Sequence, residues 1–528
     1  MVSGAAVADA VGIAPPPQAI RNAVDDVVAR YQLPGIAVGV VVNGRIQQIE
    51  LRGETLAGSG TPIARDTLFK VASNTKAMTA ALLARQVDAG LLAWDDPVVK
   101  HLPKFRMYED WVTRDMQVRD LLIHNSGLGP GAGDLMLWPE PNDFTRADVI
   151  AGLAHLKPRW SFRSRYAYDN TLYIVAGEVA AAVGGAPFEV LLRREVFDPL
   201  GMSACRIGEW RADGVASIAA PHVPRDDVWV ARPDGEVVED MPMAAAGGVR
   251  CSLDSMLRWA GAWLDPLTVA GSEGSDSPWL SAEQRDAAWT AHMPMPLSAR
   301  MREWNDSHFY AYGHGWRLTD VDGTAKVSHT GTLSGMYSAV TLLPQLHSGF
   351  VILINGEAGE ARTVLEQVLT KHITAPKEAK TVAHYADALA RERQERLAMT
   401  SGTAAAKSAS VEASQSSRAP ASATRSGHWQ GRYRDPWFGD VSICPSANGI
   451  RFAATKSPRL SGPVLDAGGR WLVDFDTLEA DADAWLDFRP RVDGGAAHLT
   501  MAKVDPDADF SYDYEDLHFE RVGDCAKP

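Results

Sequence analysis

Apolar residues recur at Ile20, Val24, Val27, Val28 and Tyr31, the one-sided spacing of a helix, and Pro34-Gly35 ends that pattern. A β-branched run follows over 36–42, Asn43-Gly44 is a strong hairpin turn, and Ile46 and Ile49 continue in a strand expected to pair antiparallel with the first. From about Thr67 to Ser255 the spacing is mainly helical, broken by Pro and Gly. The clearest helix starts near Ser73, turns Ala77, Met78, Leu82, Leu83 and Val87 inward and stops at Gly90, a left-handed cap. Strand patterning returns at Val327, 337–343 and 350–354. This order predicts an α/β (α+β) domain: an antiparallel sheet built from both chain ends, flanked by helices, with an all-helical region inserted between them.

Residues 377–399 have the spacing of one charged amphipathic helix, and 400–426 form an Ala/Ser/Thr tract with the composition of a linker. Short strand-like runs at 441–444, 450–452, 471–475, 484–488 and 512–519 then predict a small β-barrel or sandwich. The expected division is a disordered start or signal-peptide remnant over 1–17, a first domain over 18–376, helix and linker over 377–427, and a barrel over 428–528. Ala8 and Ala10 fit the Ala-x-Ala end of a signal peptide, although no basic segment precedes them. A periplasmic or secreted protein is expected if the true start lies upstream, and a cytoplasmic one otherwise.

A chain of 528 residues exceeds what one core organises, which agrees with two or more domains. The net charge of −14 argues against a general binder of nucleic acid or anionic membrane, and no apolar run reaches membrane-spanning length, so the expected partner is a small-molecule or peptide substrate. Cys205, Cys251, Cys444 and Cys525 form no C-x-x-C pair, so no zinc site is assigned. They permit disulfides Cys205–Cys251 and Cys444–Cys525, but four isolated core thiols are the weightier expectation. Nothing in the sequence sets the oligomeric state.

Ser73-Asn74-Thr75-Lys76 is the chain's only Ser-x-x-Lys, and roughly one such match is expected by chance. Its placement is more telling, because the N-terminus of an apolar helix offers free N–H groups to a developing oxyanion. Spacing i to i+3 sets Lys76 one turn beyond Ser73, on the same face. A lysine can take the serine proton only if its pKa falls from about 10.4 toward 7 or 8, at a cost of about 3 to 4 kcal/mol. The bland alternative is a capping serine and a solvated lysine. Tyr168-Asp169-Asn170 precedes a helix starting at Thr171. There a phenol suits a proton shuttle coupled to Lys76, and the Asn170 side-chain oxygen suits Lys76 or a substrate amide, although Asp-Asn before a helix is also an ordinary N-cap. His329-Thr330-Gly331 falls on the Val327 strand. Gly331 allows close approach of a ligand along the strand edge, and the Thr332 N–H could join that of Ser73 in an oxyanion hole.

Together, in this order and spacing, the three elements resemble the serine β-lactamase and penicillin-binding protein superfamily, in its class C, D-aminopeptidase and esterase branch. Leu68-Phe69-Lys70-Val71-Ala72, Leu121-Leu122-Ile123-His124-Asn125-Ser126-Gly127-Leu128 and Ala246-Gly247-Gly248 match as well, and the resemblance covers roughly residues 18–375. It implies an acyl-serine cycle without a cofactor or metal. Ser73 is then the nucleophile, Lys76 and Tyr168 are the proton-transfer pair, and Asn170, His329, Gly331 and Thr332 contact substrate. His124 and Gly247-Gly248 are read as structural, the glycine pair as a tight turn before a helix capped by Ser252.

Many members carry Lys-Thr-Gly where this chain has His329-Thr330-Gly331, and histidine, mostly neutral at pH 7, attracts a carboxylate less. The expected substrates therefore shift toward esters, amides and D-aminoacyl peptides. A β-lactamase or D-Ala-D-Ala carboxypeptidase proper is the first alternative, and a catalytically silent binding or sensor protein the second. The tail beginning Gly427-His428-Trp429-Gln430-Gly431-Arg432-Tyr433 resembles the lipocalin-like domain appended to some members. Its acidic stretches, 505–509 and 513–516, are read as a solvated face rather than a cation site. A Gly-x-Ser-x-Gly elbow and a His-Glu-x-x-His motif are both absent, which removes the α/β-hydrolase and metalloprotease readings.

Overall fold

A computed structural model describes residues 12–225, 228–265, 268–270, 276–396, 398, 418–421, 429–476, 482–489 and 498–525. Residues 1–11 of the expected disordered start or signal remnant (1–17) and most of the linker lie outside the described residues. The rest group into two compact units, one drawn from Met1–Asp96, Gln117–His124 and Ala176–Arg391, the other from Pro97–Met116, Asn125–Val175 and Glu392–Pro528.

The first unit begins with helix α1 (Pro17–Tyr31) and the hairpin β1 (Gly35–Val42) and β2 (Arg45–Gly53). Asn43 and Gly44 both take positive φ, 49° and 68°, the two-residue turn whose twist matches the flanking strands. A short strand β3 (Phe69–Lys70) leads into helix α2 (Thr75–Asp88), and much later comes helix α3 (Thr171–Gly184), which belongs to this unit from Ala176 onward. Strand β4 (Arg250–Cys251) pairs with β3, and helix α4 (Leu253–Leu264) starts at Ser252, whose side chain caps it by accepting from Ser255 N–H. Strands β5 (Met293–Pro294), β6 (Tyr310–Tyr312), β7 (Arg317–Val321), β8 (Thr324–Leu333), β9 (Met336–Leu343) and β10 (Ser348–Ile354) precede helix α5 (Gly359–Thr374).

These strands form one antiparallel sheet in the order β5-β6-β7-β8-β9-β10-β1-β2, so both ends of this unit's chain meet at β10 and β1. Every residue of β1 is buried because both faces are covered. Ile20, Val24 and Val27 of α1 meet Val364, Leu365 and Val368 of α5 and the residues around Tyr385 over one face, while α4 packs on β1 and β10. Each buried aliphatic contributes about 1.5 to 3 kcal/mol. The helix expected over 377–399 starts only at Val382, and its described residues are 382–396 and 398.

In the second unit, strands β11 (Gly431–Asp435), β12 (Gly439–Ser446), β13 (Gly449–Ala454), β14 (Ser461–Ala467), β15 (Arg470–Val473), β16 (Ala484–Arg489), β17 (His498–Lys503) and β18 (His518–Gly523) pair in sequence. Pairing of β18 with β11 closes an eight-stranded barrel. A strand over 512–519 does not form. Residues 514–516 make a 3-10 turn, and β18 starts only at His518. The segment 125–175, mostly turns and short helices, groups with the barrel, to which it is linked by ion pairs of Lys456 with Asp148 at 2.7 Å and of Arg159 with Asp516 at 3.1 Å. Both disulfides form, Cys205–Cys251 in the first unit and Cys444–Cys525 in the second, against the weightier expectation of thiols. Spacing alone does not show that these distant positions converge.

Candidate active site

Ser73 stands in a 3-10 turn, Ala72–Asn74, that runs directly into α2. The turn demands a left-handed backbone at Ala72, with φ 49°, an uncommon conformation for a residue with a Cβ. Its neighbours hold it there. Val71 N–H donates to the Val249 carbonyl at 3.0 Å, the Ser338 hydroxyl donates to the Val71 carbonyl at 2.8 Å, and Asn74 Nδ2 donates to Ser338 Oγ at 2.8 Å. At its far end α2 stops as its composition predicts, with Gly90 N–H on the Val87 carbonyl and Leu91 N–H on the Gln86 carbonyl.

Lys76 is fully buried, and its Nζ reaches back to Ser73 Oγ at 3.2 Å and to the Ala246 carbonyl at 2.9 Å. Such a lysine is not the solvated residue of the bland reading. Its position is set by the packing of α2 against residues 244–249: Thr79 donates to the Ala245 carbonyl at 2.7 Å, and Thr75 Oγ1 accepts from Val249 N–H at 3.2 Å. Ala246 thus contributes a carbonyl to the site, a role sequence reasoning did not name.

Strand β8 runs past the serine turn. A Cβ on Gly331 would stand 2.2 Å from the Val71 carbonyl oxygen, so only glycine permits this approach. On its other side β8 pairs with β7 only as far as Ser328, so, among the described residues, 329–333 have a single strand neighbour, β9. That leaves a strand edge of the kind an extended ligand can extend. From α5, Arg362 Nη1 donates to the Gly331 carbonyl at 2.7 Å and to Thr332 Oγ1 at 3.0 Å, while Arg317 donates to Thr330 Oγ1 at 2.6 Å. Burial pulls the Arg362 guanidinium down to about 10, so it remains charged at neutral pH. Sequence reasoning named neither arginine, because their meeting with β8 is set by sheet and helix packing rather than by a local motif.

The His329 ring is fully buried. Its Nε2 lies 2.8 Å from the Tyr312 hydroxyl and its Nδ1 lies 2.8 Å from the Thr330 carbonyl. A carbonyl can only accept, so Nδ1 carries the proton and the Tyr312 hydroxyl donates to Nε2. Burial, with the Arg317 and Lys76 charges nearby, holds this imidazole well below its ordinary pKa and therefore neutral. His124, read as structural, is buried with its ring 4.5 Å from that of Tyr312.

In the second unit, Asp169 caps the start of α3, accepting from Leu172 N–H at 3.3 Å and from Thr171 Oγ1 at 2.7 Å. Burial raises its pKa. Asn170 donates through Nδ2 to Asp134 Oδ2 at 2.8 Å, which turns its amide oxygen away from that carboxylate, and the half-buried Tyr168 accepts from Gly131 N–H at 2.9 Å through its carbonyl. Asp513 belongs to the stretch read as a solvated face, yet it is buried and accepts from Gly133 N–H at 2.6 Å and Leu135 N–H at 3.3 Å. Burial first, then the Asp134 and Asp516 charges, push its carboxyl well above the usual range.

A hydroxyl and a buried amine at hydrogen-bond distance, at a helix start beside an open strand edge, define a serine hydrolase. The Beta-lactamase family model matches residues 20–375, and the chain belongs to that family. It is 28% identical over 339 residues to penicillin-binding protein 4 of Amycolatopsis lactamdurans, covering 63% of this chain and 83% of that one. With esterase EstB of Burkholderia gladioli it shares 26% identity over 362 residues, 60% of this chain and 91% of the esterase. The octameric penicillin-binding protein homologue from Pyrococcus abyssi has the same fold, with a TM-score of 0.57 at 16% identity over 95% of this chain and 99% of that one. Among the described residues no single helix is long and apolar enough to cross a membrane.

Proposed function

We propose that this hydrolase cleaves carboxylic esters or D-aminoacyl amides through an acyl-serine intermediate on Ser73. The observation that carries the reading is the buried Lys76 side-chain nitrogen, 3.2 Å from Ser73 Oγ and 2.9 Å from the Ala246 carbonyl. In the first step the serine proton passes to the coupled pair of Lys76 and Tyr168 while Oγ bonds to the substrate carbonyl carbon. The N–H groups of Ser73 and Thr332 stabilise the resulting oxyanion. As the leaving alkoxide or amine takes up the proton the acyl-enzyme forms, and water then releases the acid by the same transfers in reverse. Asn170 offers its amide oxygen to Lys76 or to a substrate N–H. Gly331 lets substrate lie along β8, and His329 acts from inside the strand through Tyr312. With that imidazole neutral and enclosed, the position offers no cation to a substrate carboxylate, which supports esters and amides over β-lactams.

Arg362, charged and bonded to Gly331 and Thr332, favours the second reading, a β-lactamase or D-Ala-D-Ala carboxypeptidase whose substrate carboxylate meets a guanidinium. Intact-mass measurement with a fluorophosphonate probe decides first between enzyme and silent binding protein: wild type gains one adduct and Ser73→Ala gains none. A panel of p-nitrophenyl esters, D- and L-aminoacyl anilides and nitrocefin then separates the substrate classes, and dominance of nitrocefin would overturn the ester and amide assignment. The two disulfides support a periplasmic or secreted location.

A further inference from the structure

The barrel's loop between β17 and β18 reaches the segment that carries Tyr168 and Asn170. Asp134 is the junction: its Oδ2 accepts from Asn170 Nδ2 at 2.8 Å and from the Ser511 hydroxyl of the barrel loop at 2.8 Å. Two residues further along the loop, Asp513 takes the N–H groups of Gly133 and Leu135 on either side of Asp134, and so fixes the turn that presents that carboxylate. One residue before Ser511, the Phe510 ring stands edge-on to the Tyr168 ring, with centroids 5.8 Å apart and planes at 78°. A loop about 340 residues away in sequence thus holds Asn170 through a shared carboxylate and packs against the ring of its neighbour Tyr168.

We propose that Asp134, Ser511 and Phe510 are positioning residues for the hydrolase reaction, and that the barrel completes the site by fixing the Asn170 amide and the Tyr168 ring. This rests on the reading of Ser73 as nucleophile with Tyr168 and Asn170 in its site. None of the three exchanges a proton with substrate. Their contribution is to hold one rotamer of each motif side chain, which transition-state alignment requires.

The test uses the full-length chain with Ser511→Ala, Phe510→Leu, Asp134→Ala and Asp134→Asn. Measurements are kcat and KM on the best p-nitrophenyl ester, the rate constant for fluorophosphonate labelling of Ser73, and the thermal midpoint. Ser511→Ala and Phe510→Leu are expected to lower kcat and the labelling rate about 10-fold each, with KM changed less than about 2-fold and the midpoint nearly unchanged. Asp134→Asn keeps an acceptor oxygen and is expected to recover most of what Asp134→Ala loses. Ser511→Ala should add nothing in the Asp134→Ala background, because its donor then has no acceptor. If Asp134→Ala fails to fold, Asp134→Asn and Ser511→Ala carry the test. Wild-type kcat and labelling rate in Ser511→Ala and Phe510→Leu, with Ser73 labelled normally, would overturn the positioning role and leave the nucleophile assignment standing. Labelling that persists in Ser73→Ala would overturn the nucleophile assignment, and this inference with it.

Discussion

Gly331→Ala tests the closest approach in the site. The added Cβ would stand 2.2 Å from the Val71 carbonyl oxygen, 2.4 Å from Ser338 Oγ and 3.0 Å from Ala72 Cβ. The serine can rotate away, but the carbonyl belongs to the backbone of the turn that bears Ser73. Reaching an ordinary contact of about 3.4 Å therefore requires β8 and the turn to part by roughly 1 Å. The stability cost is that of modest overpacking, about 1 to 3 kcal/mol. The catalytic cost is larger in proportion, since a 1 Å misplacement of aligned groups costs about 100-fold, or about 2.7 kcal/mol of barrier. The expected result is a kcat/KM on p-nitrophenyl esters lowered about 100-fold, in a variant that remains folded by circular dichroism. A variant within threefold of wild type would mean that β8 does not align the reacting groups, and the oxyanion role of Thr332 would fall with it.

Acid should destabilise the first unit. His314, its ring stacked on that of His292 with centroids 4.3 Å apart, and His329 are both held well below the ordinary imidazole value by burial. A depressed folded-state pKa means that the unfolded chain binds the extra proton, so stability is full above about pH 6.5 and falls by about 1.4 kcal/mol per pH unit per histidine below it. Denaturant titrations at pH 7.5 and 5.5 should show that slope, flattened in His314→Gln; an identical slope in the variant would refute the assignment. Removing the bridge between Cys444 and Cys525, 81 residues apart, by the double serine variant should cost the barrel about 2 to 4 kcal/mol, read as a lower urea midpoint, while the Ser73 labelling rate stays measurable.

Much of the first unit is legible locally. Asn43-Gly44 announces its hairpin, and the i to i+3 spacing of Ser73 and Lys76 is enough to put an amine beside a hydroxyl, because a helix fixes that geometry whatever surrounds it. What the sequence does not display is partnership across distance. Nothing near His329 says that its ring bonds to Tyr312, two strands away in the sheet. Nothing near Asp513 says that it caps a turn at Gly133, so a run of acidic residues reads as solvent-facing when one of them is buried and bonded. The same holds for the four cysteines, and for a loop read as a strand because Tyr512, Tyr514 and Phe519 alternate with polar residues.

The left-handed Ala72 turn has a consequence for biosynthesis. The groups that hold it come from residues 249 and 338, and the strand it faces from residue 331, so Ser73 leaves the ribosome more than two hundred residues before its turn can close. A nascent or truncated chain ending short of β9 carries the serine without the constraint that makes it reactive. The turn around Ser73 is thus completed only when the sheet closes, late in synthesis.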